Sequence, residues 1–89
     1  MIGIYIEAHG MTVEQHAEGR RRLAEAGVSE SAMGLHSVLG EDGHLMVLDI
    51  WESPEAWVEF LPHLRPILLD LGVTMNEPPT IMPIVDLVM

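Results

Sequence analysis

The chain has 89 residues, fourteen acids against four arginines for a net charge of −10, and no cysteine. The missing thiols exclude disulfide frameworks, thiolate metal sites and cysteine nucleophiles. The charge argues against nucleic acid and anionic membrane surfaces as partners, because both are bound through cationic side chains. One domain, residues 1–89, is expected from the length. Apolar residues make up 48% of the chain, and mean hydropathy is +0.25. That is more apolar material than a small monomer readily hides, so a homodimer is expected. No apolar run approaches the roughly 20 residues of a membrane span. Glu7 stands where a signal peptide would be apolar, which makes the cytoplasm the expected location.

From Ile2 to Glu7, isoleucines at 2, 4 and 6 alternate with Gly3, Tyr5 and Glu7, the period of a strand. Thr12 and Gln15 have capping-box spacing, and a helix over about Val13–Ala26 should end at Gly27. Its inward side is expected to carry Val13, Ala17, Leu23 and Ala24. The cluster Arg20-Arg21-Arg22, among Glu14, Glu18 and Glu25, reads as a solvated helix face.

Gly34–Gly40 is the second expected strand, followed by a tight turn at Glu41-Asp42-Gly43. The third strand, His44–Trp51, is apolar on both sides of its pleat, so both faces need cover. Ser53 is placed to cap the next helix, with Pro54 at its first position and Glu55 in its first turn. Ala56, Trp57, Phe60, Leu61, Leu64, Ile67, Leu68 and Leu71 keep helical spacing. Pro62 and Pro66 should kink or split that helix. After a loop at Asn76-Glu77-Pro78-Pro79, Thr80–Met89 reads as a last strand, and Pro83 marks it as an edge.

The order β-α-β-β-α-β is the ferredoxin-like split βαβ arrangement, an α+β antiparallel sheet with two helices on one face. The uncovered face of the sheet is then expected to meet a second copy, sheet against sheet.

Period two sets Val47, Asp49 and Trp51 on one strand face. A carboxylate within an apolar strand must be paired or protonated. Asp49 is therefore a general base with a raised pKa, the partner of an arginine or histidine, or a residue near the strand end in water. His36, across the hairpin, could couple to it for proton transfer near neutral pH. Trp51 and Trp57 could stack on a planar ligand, and Trp57 with Phe60 also suits a core. Tyr5 could donate to a substrate oxygen. The histidines at 9, 16, 36, 44 and 63 form no i, i+4 pair and no H-E-x-x-H segment, so no metal site is expected.

The segment Trp51-Glu52-Ser53-Pro54-Glu55-Ala56-Trp57 resembles the strand-to-helix "W-E-S-x-E-A-aromatic" segment of the dimeric α/β-barrel superfamily, specifically its antibiotic-biosynthesis-monooxygenase-like proteins. The opening strand with Gly10-Met11-Thr12 and a capped helix is similar too. The resemblance implies a pocket between sheet and helices, with Trp51 lining it. It implies cofactor-independent oxygenation of aromatic or quinol-type substrates. It also admits a non-catalytic binding or stability module. Haem-degrading relatives carry a histidine on the helix after the tryptophan, where His63 stands further along, and an asparagine on the first strand, which is absent here. Polyketide oxygenases carry an asparagine four residues before the tryptophan, at the position of Val47. On this reading Trp51, Asp49, His36 and His63 are the candidate catalytic residues. Tyr5, Trp57 and Phe60 are the candidate substrate contacts, and no cofactor is expected.

Overall fold

A computed structural model describes residues 1–74 and 78–88. Its elements are β1 (Ile2–His9), α1 (Val13–Glu25), β2 (Met33–Glu41), β3 (His44–Trp51), α2 (Pro54–Asp70) and β4 (Thr80–Pro83). The four strands form one sheet in the order β2-β3-β1-β4, with every neighbouring pair antiparallel. The ferredoxin-like arrangement is therefore present, with both helices on one face. Of the expected loop 76–79, Asn76 and Glu77 lie outside the described residues.

Register decides which side chains meet. Ile2, Ile4, Ile6 and Ala8 of β1 stand opposite Trp51, Asp49, Val47 and Leu45 of β3, and all eight are buried. His36 and Val38 of β2 continue two of these rows against Asp49 and Val47. This is the face under the helices. Two apolar clusters fill it, one around Trp51, Trp57, Phe60 and Leu23, the other around Met11, Leu45, Leu68 and Val73.

The helix ends follow from local chemistry. Thr12 and Gln15 form the full capping box, and the Ser53 hydroxyl accepts from the Ala56 amide. Gly27 and Gly72, at φ +72° and +79°, close Schellman motifs through Val28 N–H to Leu23 C=O and Val73 N–H to Leu68 C=O.

Three details differ from expectation. First, α2 is one continuous helix. Pro62 and Pro66 are four residues apart on its solvent side, where the carbonyls they leave without an N–H can turn to water. Second, α1 turns Gly19 and Leu23 inward, while Val13, Ala17 and Ala24 are exposed. Third, β4 stops at Pro83 instead of running to the C-terminus. Proline has no N–H with which to continue a ladder, and β4 is an edge strand.

The β2–β3 turn is built on Asp42-Gly43, with Gly43 at φ +87°. It also anchors α1. The Asp42 carboxylate accepts from the Val13 amide at 2.8 Å. Gly43 exchanges backbone bonds with Gly10 and Met11 at 2.8 and 2.9 Å. Just before the turn, Gly40 sits at φ +115°, and a Cβ there would lie 2.3 Å from the His44 carbonyl oxygen. Gly40→Ala should therefore cost about 2 kcal/mol or more, combining left-handed strain with a backbone clash. Urea denaturation measures this, and an unchanged midpoint would refute it.

Candidate active site

Between the two apolar clusters lies a cavity of about 80 Å³. Its walls are mostly apolar, with Ile6, Val47, Trp57 and Phe60 among them, and the methionines Met11 and Met33 also line it. Its polar groups are Gln15, His16 and Arg20 of α1, Glu30 of the α1–β2 loop, His36 of β2 and Asp49 of β3. The inward face of α1 explains the cavity. Positions 16, 19, 20 and 23 share that face at helical spacing, and Gly19 brings no side chain to fill it.

Asp49 is 5% exposed and is the one buried charged residue among those described. Its Oδ1 lies 2.6 Å from His36 Nδ1. Its Oδ2 accepts a long bond from Trp51 Nε1–H at 3.4 Å. His36 Nε2 is 3.0 Å from His16 Nε2, with the two rings nearly coplanar at 7°. The chain of contacts runs Trp51, Asp49, His36, His16.

Donor counting orders the protons along it. With Asp49 as carboxylate, His36 donates from Nδ1. A neutral His36 then presents a bare Nε2, and His16 must be the donor of the Nε2–Nε2 bond. His16 Nδ1 is left with a lone pair. A proton taken up there can be matched by transfer of the Nε2 proton to His36. The positive charge then rests beside Asp49 rather than on α1 near Arg20. His36 is thus held in orientation by a carboxylate, while His16 is the outer member of the chain.

Burial holds the His16 imidazole below the ordinary histidine value of 6.5, and the nearby His36 and Arg20 push the same way against a smaller opposing pull from Asp49. The neutral form is therefore favoured in the folded state. As pH falls below 6.5, the unfolded chain takes up this proton before the native one does, so stability is lost as pH falls through the folded value. Denaturant titrations between pH 7 and 5 should show stability rising with pH, with a shallower slope in His16→Gln. An identical slope in the variant would contradict this.

Of the residues singled out from sequence, the structure brings Asp49, His36, Trp51, Trp57 and Phe60 together. Trp51 points into the core at 2% exposure, its ring centroid 5.6 Å from Trp57 and 4.9 Å from Phe60. It therefore braces Asp49 and the aromatic wall from behind and does not line the cavity. Tyr5 stands on the opposite sheet face, because odd positions of β1 alternate away from the helices; its hydroxyl donates to Glu7 at 3.0 Å. His63 is exposed on α2, away from this cavity, and lines a second one with Trp51 and Phe60 beside the α1–β2 loop. Arg20 differs from its two neighbours. It pairs with Glu30 at 2.9 Å and reaches the cavity wall, whereas Arg21 and Arg22 pair on the surface with Glu18, Glu25 and Asp70. Sequence reasoning missed His16 as a site residue. The signal was its place on one helix face with Gly19, Arg20 and Leu23.

No family model matches the chain, and no curated protein does. Solved structures do. A candidate antibiotic biosynthesis monooxygenase from Deinococcus radiodurans superposes with TM-score 0.64 at 20% identity, over 100% of this chain and 97% of that one. A second, from Chloroflexus aurantiacus, gives 0.63 at 15% identity over 96% and 93%. A conserved protein from Methanosarcina mazei gives 0.57 at 17% identity over 91% and 87%. The chain has the antibiotic-biosynthesis-monooxygenase-like fold. In this fold the helix-covered side of the sheet is where the buried Asp49 and its two histidines lie. At these identities the likeness concerns the backbone, and the chemistry must be argued from this chain's own side chains.

Proposed function

We propose that the protein is a cofactor-independent oxygenase-type enzyme acting on a small aromatic or quinol-type substrate. The hydrogen-bonded chain Asp49–His36–His16 ending at an apolar cavity carries this reading. His16 would take the acidic proton of the substrate, and His36 and Asp49 would hold the charge that results. Arg20, a cation at the cavity wall, would stabilise the oxyanion. The substrate carbanion then reduces O₂ by one electron, and the radical pair combines to a hydroperoxide. Loss of water leaves a carbonyl, so one oxygen atom enters the product and the other leaves as water.

The cavity is smaller than the roughly 300–1,000 Å³ of common ligand sites. A substrate must therefore displace flexible wall residues, and Met11 and Met33 are suited to that. A single ring is the natural size, since a cavity of roughly 150 Å³ accommodates benzene. The small volume favours the second reading, a non-catalytic module that binds a small apolar ligand. Oxygen uptake with a panel of single-ring phenols and quinols, corrected for uptake without protein, separates the two. Uptake with one oxygen atom of labelled O₂ entering each product molecule supports the enzyme; binding without uptake across the panel supports the module.

Tyr5, Leu39, Leu48 and Met82 are exposed on the sheet face that the helices leave open. We propose that a second copy covers them, giving a sheet-to-sheet homodimer. Among the described residues, no helix is long and apolar enough to cross a membrane, and a cytoplasmic location fits the reading.

A further inference from the structure

The open sheet face holds a second group of polar side chains, on the opposite side of the sheet from the cavity. His9 of β1 and His44 of β3 are direct partners at the last register pair of these strands. Their rings stack with centroids 4.7 Å apart and planes 13° apart. Glu7 precedes His9 by two residues and so shares its face. Its Oε2 is 3.3 Å from His9 Nε2. One ligand atom each from Glu7, His9 and His44 lies within 4.8 Å of the others, the one such trio among the described residues.

We propose that Glu7, His9 and His44 bind a divalent transition-metal ion of the zinc class. Two imidazoles and one carboxylate are a ligand set that such ions favour over calcium or magnesium. At metal–ligand distances of about 2.1 Å, tetrahedral ligands are about 3.4 Å apart. The Glu7–His9 separation already has that value, and a ring rotation of the exposed His44 closes the rest. The backbone beneath is fixed: Gly10 and Gly43, one residue beyond each histidine, are tied by the Gly10 N–H to Gly43 C=O bond at 2.8 Å. The Tyr5 hydroxyl donates to Glu7 Oε1 at 3.0 Å, leaving Oε2 to the ion and orienting the carboxylate, the usual outer-shell arrangement. A net charge of −10 draws cations to the surface. Three protein ligands leave at least one coordination position free, and the last row of the register, at the rim of the proposed dimer contact, opens it to water or a small ligand.

The test is calorimetric titration of the tag-free protein with Zn²⁺, alongside the visible absorption of Co²⁺. One Zn²⁺ per chain is expected, with binding lost in His9→Ala and His44→Ala. Tyr5→Phe should weaken it by about tenfold or more. His63→Ala and His16→Gln should leave it unchanged. The exposed positions of the ligands keep these variants folded, which circular dichroism verifies. Equal Zn²⁺ binding in the wild type and His44→Ala, or loss of binding in His16→Gln, would overturn the proposal.

Discussion

His16→Gln should lower quinol-dependent oxygen uptake by about 10²–10⁴-fold, the range set by loss of a positioned base, with KM changed only a few-fold. Glutamine keeps a polar side chain of similar reach on α1 but has no group that accepts a proton near neutral pH. Asp49→Asn should lower turnover over a similar range for a different reason. The amide can turn its NH₂ toward His36 Nδ1, which makes that nitrogen the acceptor and moves the His36 proton to Nε2. His36 then faces His16 with a proton instead of a lone pair, and the transfer path is closed. An aspartate-to-asparagine change that leaves geometry intact and reverses an imidazole tautomer has this signature in hydrolase triads. If His16→Gln turned over at the wild-type rate, the chain of contacts would be structural.

The largest effect on stability should come from Trp51→Ala. The indole is 2% exposed and packs on both Trp57 and Phe60. Truncating a buried aromatic costs about 3–5 kcal/mol, out of a total of roughly 5–15 kcal/mol for a domain. The Asp49 carboxylate also loses its indole donor. Trp51→Phe keeps most of the packing and removes only the N–H, so it should cost far less. Urea denaturation followed by far-ultraviolet circular dichroism compares the three proteins. Equal midpoints for Trp51→Ala and wild type would mean that this ring does not brace the core.

The strand-to-helix junction that ends in Trp57 was legible because several local signals agree there. Strand alternation sets the face of Asp49 and Trp51, Ser53 caps, and Pro54 suits the first helical turn. The partnership of His36 with Asp49 follows from the hairpin turn, which fixes register. Helix α1 misled for a physical reason. Apolar periodicity locates the buried side of a helix only if that side is apolar, and here it carries His16, Gly19 and Arg20. The departure from an apolar stripe is what makes room for a cavity and supplies its polar groups. Pro62 and Pro66 misled in the opposite way, because their cost falls on the solvent side of α2, where water replaces the missing bonds.

The most direct test of the Asp49–His36–His16 relay is ¹⁵N NMR of the imidazole nitrogens at neutral pH. A relay requires His36 to carry its proton on Nδ1, facing Asp49, and a single proton to lie between the two Nε2 atoms. Asp49→Asn should move the His36 proton to Nε2. A His36 protonated only at Nε2 in the wild-type protein, or unaffected by Asp49→Asn, would contradict it.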